Sequence, residues 1–409
     1  MRALVFLYLR RLLLSIFSLQ GLVIATLIAI DSWRKRYQSQ GGFPRTRPKP
    51  SRIGATEAQI YTYGEDLYEV MLHAIRHAEK RILIETFIWK GDRVGKRFKQ
   101  ELELAAKRGV EVYAIYDGFA NLVVPRSFKR FPATMHVLQF RIFPSPWRFF
   151  DPRQYGRDHR KILTVDGRVG FIGGYNIGSA YATEWRDTHV RLSGPSVWDL
   201  ENAFIDFWNL HCNPHLPPLS DAGTAVWESR VRVHRNVPSM LMFPIRAMYL
   251  EAIDRAQHHI YLTHAYFIPD SAILRGLMVA AERGVDVRIL MPETSNHIVA
   301  DWLARGFYTR CLSSGIKLLL YQDAMVHAKT ATIDGVWSTI GTANLDRLSL
   351  AGNYEINVEF FDEGLSKQME EIFANDSTNT RELTLEEWSQ RPLIAKISET
   401  ILSPLWPLL

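Results

Sequence analysis

The residues best equipped for chemistry lie in GRDHRKILTVDGRVGFIGGYN, residues 156–176. There His159 and Lys161 stand two apart, ahead of the pair Asp166 and Gly167. A single His-x-Lys carries little information, but this chain writes it twice. VHAKTATIDGVWSTIGTANLD, residues 326–346, brings His327, Lys329 and Asp334 into the same register. Counted from each histidine, Lys161 and Lys329 come two on, Asp166 and Asp334 seven on, Gly174 and Thr342 fifteen on, and Asn176 and Asn344 seventeen on. Twenty-eight on, an acid closes each series: Asp187 in EWRDTHVRL and Glu355 in GNYEINVEF. A register kept at so many points across a duplication is not noise.

Two imidazoles, two ammonium groups, two amides and two acids, gathered in one pocket, suit a phosphodiester. Lysines and amides stabilise the charged equatorial oxygens, while one imidazole attacks phosphorus and the other protonates the departing alkoxide. A phosphohistidine forms, and a second alcohol or water then reverses the roles. This chemistry calls for no cofactor, and the ligand pattern signals no metal. Alternate side chains of a strand share a face, so His159 and Lys161 point together, as do His327 and Lys329. Asp166 and Asp334 complete the two catalytic motifs, but their odd offsets put them at the turn, where they read as scaffold. Asn176 and Asn344 follow the returning strands and bring amides, with the N–H groups of neighbours such as Gly174 and Thr342, back towards substrate. Asp187 and Glu355 are placed to accept from a histidine ring nitrogen and fix its tautomer.

The elements that must position these groups also come in pairs. DLYEVMLHAIRHAEKRILIETFIW (66–89) has its counterpart in IRAMYLEAIDRAQHHIYLTHAYFI (245–268), and ELAAKRGVEVYAIYD (103–117) in MVAAERGVDVRILMP (278–292). Each reads as an amphipathic helix leading into a buried strand, with glycine at the second pair's helix ends. The expected fold is α/β: two homologous α/β/α halves, each with a mainly parallel sheet, related by a pseudo-twofold axis. The division is a membrane anchor (1–33), a basic Pro/Gly linker (34–57), a first domain (58–225) and a second domain with an amphipathic tail (226–409). The Pro-rich NPHLPPLSDAG (213–223) is the expected joint.

Of 409 residues, 47% are hydrophobic and 22% charged, which excludes wholesale disorder. The net charge of +6 favours an anionic partner, whether nucleic acid, acidic membrane or phosphorylated substrate. Two cysteines, Cys212 and Cys311, form neither a disulfide framework nor a zinc pattern. Leu12 to Ile30 is uncharged and about as long as a bilayer's hydrocarbon core is thick. A cleaved signal peptide is the competing reading, although no clean small-x-small site follows. Positive residues after the run (Arg34, Lys35, Arg36, Arg45, Arg47, Lys49, Arg52) outnumber Arg2, Arg10 and Arg11 before it, so the globular part is expected in the cytoplasm. Between Arg126 and Arg157, basic residues interleave with Phe128, Phe131, Phe140, Phe143, Trp147, Phe149, Phe150 and Tyr155. That mixture reads equally as a membrane-facing rim or as a loop packing its own aromatics. Leu393, Ile394, Ile397, Ile401 and Leu402 follow helical spacing, suiting a helix on a membrane or one docked on the protein's own surface.

The paired HRKILTVD (159–166) and HAKTATID (327–334) resemble the phospholipase D superfamily, whose mark is a repeated His-x-Lys-x4-Asp. RDHRKILTVDGRVGFIGGYNIG, EWRDTHVRLSGP and AYFIPD look like bacterial cardiolipin synthases in particular. The resemblance implies His159 and His327 as nucleophile and acid/base, Lys161, Lys329, Asn176 and Asn344 as phosphate ligands, and Asp187 and Glu355 as supports. The sequence leaves open which histidine attacks, although the first motif is the usual assignment in relatives. The resemblance further implies an enzyme of the bacterial inner membrane that moves a phosphatidyl group between two phosphatidylglycerols and releases glycerol, with no nucleic acid as partner. The alternative is a hydrolase of the superfamily, phospholipase D or nuclease. One departure is DGFANLVVPRSFKRF (117–131), where synthases commonly carry a Gly-Ser loop; it bears on substrate choice.

Overall fold

The computed structural model describes residues 2–37, 41–143, 150–221, 223–224, 226 and 228–408. The expected strands condense into two large sheets. In the first half β1 (Pro50–Ile53), β2 (Thr56–Tyr61), β3 (Arg81–Thr86), β4 (Glu111–Asp117), β5 (Met135–Phe140), β6 (Ile162–Val165) and β7 (Val169–Gly173) are joined, past the two-residue β8 (Trp185–Arg186), by β9 (His189–Ser193). Their spatial order is β1-β2-β9-β7-β6-β3-β4-β5. The second half supplies β10 (Val231–Asn236), β11 (His259–His264), β12 (Phe267–Ile268), β13 (Asp286–Pro292), β14 (Lys317–Tyr321) and β15 (Met325–Val326). It continues with β16 (Lys329–Ile333), β17 (Trp337–Gly341), β18 (Leu345–Asp346), β19 (Glu355–Phe361) and β20 (Thr380–Leu383). Its large sheet runs β10-β19-β17-β16-β11-β13-β14-β20. Without the extra edge strands β1 and β20, the two sheets repeat one order, as the duplication requires.

The sheets are mixed, which corrects the mainly parallel expectation. Only β3-β4-β5 and β11-β13-β14 pair in parallel; from β3 and β11 outward through the motif strands every pairing is antiparallel. The cause is local. Val165 pairs with Val169 across the three intervening residues, and so tight a turn joins only antiparallel strands.

Helices cover both faces of each sheet. Gly64–Arg76 buries Leu67, Met71, Leu72 and Ile75 at helical spacing, and Arg93–Lys107 starts on Asp92, whose carboxylate accepts from Gly95 N. Val197–His211 packs on the opposite face. In the second half Pro244–Arg255, Ser271–Glu282 and Ile298–Ser313 share one core, and Glu363–Ser377 lies across the sheet from them. One apolar cluster joins the halves: Ile162, Ile172 and Val190 pack with Ile340, Ile356 and Val358. Neither half has its full core alone.

The amino-terminal helix runs from Arg2 to Tyr37, past the expected anchor boundary, and Leu14–Arg34 is long and apolar enough to cross a membrane. The expected linker is partly built into the body. Gly41 N donates to Asp323 O, Thr46 bonds Thr62 and Asn375, and Pro50–Ile53 is already an edge strand.

Candidate active site

His159 and His327 sit just ahead of β6 and β16, and each is fixed by a short parallel pairing with the other half. Asp158 bridges Tyr354, and His159 N donates to Tyr354 O at 3.0 Å. Equivalently, β15 pairs with β8, and His327 N donates to Arg186 O at 2.6 Å. The acids follow these partners at once in the chain, so each histidine meets the acid of the opposite half. His159 Nδ1 lies 3.0 Å from both carboxylate oxygens of Glu355, and His327 Nδ1 lies 2.7 Å from Asp187 Oδ2. The register places the acids behind the imidazoles but does not show this crossing.

Lys161 Nζ donates to His159 O at 2.7 Å, and Lys329 Nζ to His327 O. Lys329 Nζ is also 3.0 Å from His327 Nδ1, but that nitrogen has one bonding direction and the closer carboxylate takes it. With Nδ1 so engaged, Nε2 is left for chemistry on both rings. Asn176 Oδ1 accepts from Ile88 N at 3.1 Å, which commits its oxygen and leaves its NH2 to donate. Asn344 lines the same pocket as His159, with a buried Oδ1 that finds no partner among the described residues. His159, Lys161, Asp187, His327, Lys329 and Glu355 lie close enough to feel one another's charge, and Asn344 shares a pocket with His159.

Four expected site residues stand elsewhere in role. Asp166 and Asp334 do not reach the centre, because the strands β6 and β16 separate them from the histidines. Asp166 accepts from the N–H groups of Glu79, Lys80 and Arg81 at 2.9, 2.8 and 2.9 Å. Asp334 does the same for Gln257, His258 and His259 at 2.8, 2.9 and 2.8 Å. Both aspartates have left-handed backbones, φ 55° and 53°, and they tie a turn to the start of a neighbouring strand. Gly174 and Thr342 do not offer the backbone N–H groups expected of them, although the Thr342 backbone also bonds the His159 ring. Their N–H groups go to Thr188 O and Ile356 O, the Thr342 hydroxyl donates to Glu355, and a Cβ on Gly174 would lie 2.0 Å from Asp187 Oδ1. They position the acids.

Burial sets the electrostatics. It pushes Glu355 up to about 8 and raises Asp187. It pulls Lys161 down to about 7 and Lys329 to about 8. Both histidines fall well below their usual range, through burial first and the lysine charges second. With the acid raised and the ring lowered, His159 and Glu355 share one proton rather than forming an ion pair. An arriving phosphodiester anion favours the charged lysines again.

Several wall residues were not singled out from the sequence. The Phe87 ring stands edge-on to His159 with centroids 4.7 Å apart, and Trp185 lies 5.1 Å from His327. A pocket of about 380 Å³ opens beside His159, lined by Phe119, Tyr266, Ile268 and Val299 and by polar groups that include Arg157 and Asp346. Asp346 is raised to about 7 by burial. Its signal was present: the repeat has Gly178 at this position. Beneath the motif, Asp158 and Glu85 flank the buried Arg160, which bonds Glu85 at 2.5 Å. The departing loop is tied in by Asp117, whose carboxylate accepts from Phe119, Ala120 and Asp158 N–H groups. The aromatic and basic stretch divides. Phe128 and Phe131 pack on Trp89 and Phe140 is buried, whereas Phe143 and Phe150 are 70% and 95% exposed. Trp147, Arg148 and Phe149 lie outside the described residues.

The family model described as cardiolipin synthase, PLD-like domain matches this chain twice, over residues 71–208 and 249–377. Those spans hold both histidine–lysine motifs and both acids. The chain belongs to this family. It is accordingly a phosphatidyltransferase of the phospholipase D superfamily. A cardiolipin synthase of Clostridium perfringens is 32% identical over 373 residues, covering 86% of this chain and 77% of that protein. Cardiolipin synthase 2 of Staphylococcus epidermidis is 33% identical over 366 residues, covering 86% and 74%. The major cardiolipin synthase of Bacillus subtilis is 31% identical, covering 86% and 75%. Among solved structures, phosphatidylserine synthase of Haemophilus influenzae aligns over 88% of this chain and 95% of its own, with TM-score 0.68 at 13% identity. That likeness concerns the fold: the duplicated α/β/α halves.

Proposed function

We propose that this chain is a cardiolipin synthase that moves a phosphatidyl group from one phosphatidylglycerol to a glycerol hydroxyl of another. The crossed pairs His159–Glu355 and His327–Asp187 carry this reading, because they complete two poised imidazoles in one centre of a chain that belongs to the cardiolipin synthase family. Nε2 of one histidine attacks phosphorus as the bond to the first glycerol breaks, and the second histidine gives that alkoxide its proton. The phosphohistidine carries the positive charge that the opposing carboxylate is placed to offset. The hydroxyl of the second lipid then gives its proton to the waiting histidine and attacks phosphorus, and the P–N bond breaks. Lys161, Lys329, Asn176 and Asn344 hold the charge on the phosphoryl oxygens throughout. The apolar wall beside His159 suits a lipid better than a nucleic acid. The amino-terminal helix and the bacterial relatives support an inner-membrane location, and the excess of positive residues after the apolar run supports placing the two halves in the cytoplasm.

The test incubates purified full-length protein with phosphatidylglycerol liposomes and resolves products by mass spectrometry. Cardiolipin and glycerol in equal amounts are expected. Phosphatidic acid instead makes the chain a hydrolase. His159→Ala and His327→Ala are each expected to abolish turnover; substantial activity in either contradicts the shared centre.

A further inference from the structure

The carboxy-terminal helix Leu393–Leu402 docks through Ala395, Glu399 and Leu402 and leaves an apolar stripe outside. On that stripe Leu393, Ile394 and Ile397 are 75%, 71% and 53% exposed. What the helix docks on says what covers the stripe. It packs on Ile298–Ser313 and on the amino-terminal helix, and Gln20 Nε2 donates to Ile401 O at 3.0 Å. Gln20, Leu27 and Asp31 form the buried stripe of that apolar helix, with Val23 and Ile24 packed beside them. Its other faces, with Leu14, Phe17, Leu22 and Ile28, stand open.

Gln20 lies near the middle of the uncharged run Leu12 to Ile30. When that run fills a hydrocarbon core of about 30 Å, a group bonded to the Gln20 side chain is at lipid depth. The tail's buried acid meets that environment already paired, and Lys396 Nζ donates to Ser389 O. Glu399 is held between Arg305 and Arg391 at 2.9 Å each, and the two guanidiniums lie over Trp302 and Trp388. The segment after the helix, Ser403–Leu408, seats Trp406 against Gly306, where a Cβ would come within 2.1 Å of the indole.

The geometry points to the tail, Leu393–Leu402 with Ser403–Leu408, as a second membrane element, its stripe immersed in the acyl region beside the membrane-embedded amino-terminal helix. This rests on reading that helix as membrane-embedded. The consequence reaches the active site. Ser403–Leu408 touches both Ile298–Ser313 and Arg347–Ala351, the helices that give Val299, Ala300 and Leu348 to the pocket beside His159. A lipid entering the pocket from the acyl region then passes along a wall that the tail supports.

Spin labels test this on the full chain in phosphatidylglycerol vesicles. Ile394→Cys and Ile397→Cys are labelled in a Cys212→Ser background, with Leu22→Cys as the depth reference and Glu386→Cys as the aqueous one. Positions 394 and 397 are expected to collide with oxygen more than with a water-soluble nickel chelate, as position 22 does, and position 386 to show the reverse. Nickel access at 394 and 397 equal to that at 386 overturns the inference. So does spin–spin broadening that vanishes on dilution with unlabelled protein, since a second copy then covers the stripe. Nickel access at position 22 instead shows that the membrane reading of the first helix has failed. With Leu393→Gln, Ile394→Gln and Ile397→Gln combined, turnover of vesicle phosphatidylglycerol is expected to fall several-fold while turnover of a monomeric short-chain analogue holds. Equal loss on both refutes the lipid route. If wild-type protein turns over neither lipid, the proposed function fails while the labels still report on the tail.

Discussion

Replacing Glu355 by glutamine separates the catalytic work of the crossed acid from its structural cost. The amide fits the same space and keeps an oxygen for the Thr342 hydroxyl, but it cannot take up the proton shared with His159 Nδ1. Against the charged ring that forms during turnover, a hydrogen bond to the carboxylate contributes about 1.5–3 kcal/mol, so its loss alone slows turnover by roughly 10- to 150-fold. An amide NH2 presented to Nδ1 also selects the wrong tautomer, and comparable acid-to-amide changes cost on the order of 10⁴ in rate. The expected loss therefore lies between about 10² and 10⁴. Stability should move the other way. Burial raises Glu355 from the ordinary 4.5 to about 8, so the folded state binds more protons than the unfolded one across that window. Stability is then lost as pH rises through it. Glutamine has no such dependence, so the variant should melt at the same temperature as wild type at pH 5 and higher at pH 8. Liposome turnover, melts at the two pH values and ring ¹⁵N shifts of histidine-labelled protein make the test. Activity within tenfold of wild type, a lower melting temperature at pH 8, or a shift at His327 with His159 unmoved would refute the crossed assignment.

Asp166→Ala removes the acceptor for three backbone N–H groups and leaves alanine in a left-handed conformation, so chemical denaturation should show a loss of roughly 2–4 kcal/mol. Because Asp166 stands outside the centre, kcat per folded molecule should stay near wild type; a kcat collapse would return it to the catalytic set. Lys161 is held down at about 7, so the folded state binds fewer protons than the unfolded chain from there to the ordinary 10.5. Lys161→Met should therefore raise Tm at pH 7, with the gain fading towards pH 10, while turnover is lost. Arg186 pairs bidentately with Asp376, 2.9 and 2.5 Å, with both side chains buried. Arg186→Ala strands that carboxylate and should cost about 3–5 kcal/mol in urea unfolding; a cost below about 1 kcal/mol would mean the pair is dispensable.

Much of this architecture was legible because duplication turns weak signals into a comparison. His159, Lys161 and Asn176 are each unremarkable alone, and only their recurrence at His327, Lys329 and Asn344 lifts them above chance. The odd offset of Asp166 and Asp334 was enough to read them as scaffold. The parallel sheet was over-read, because helix–strand alternation describes β3 to β5 but says nothing of strands joined by a three-residue turn. The crossing of the acids was hidden for a different reason. A repeat shows that an acid recurs, not whether it serves its own half, and the answer lies in the pairings 158–354 and 326–186 that no periodicity encodes. The most telling signals were the places where the copies disagree. Gly178 becomes Asp346, and Trp185, which covers His327, becomes Asn353, which lines the pocket beside His159. Where the copies agree, the proposed mechanism has two like sides doing the same chemistry in opposite directions. On the proposed reaction, which accepts one lipid and releases one glycerol, the two sides must differ, and the chain differs at these positions, with one imidazole roofed by an indole and the other opening on a pocket.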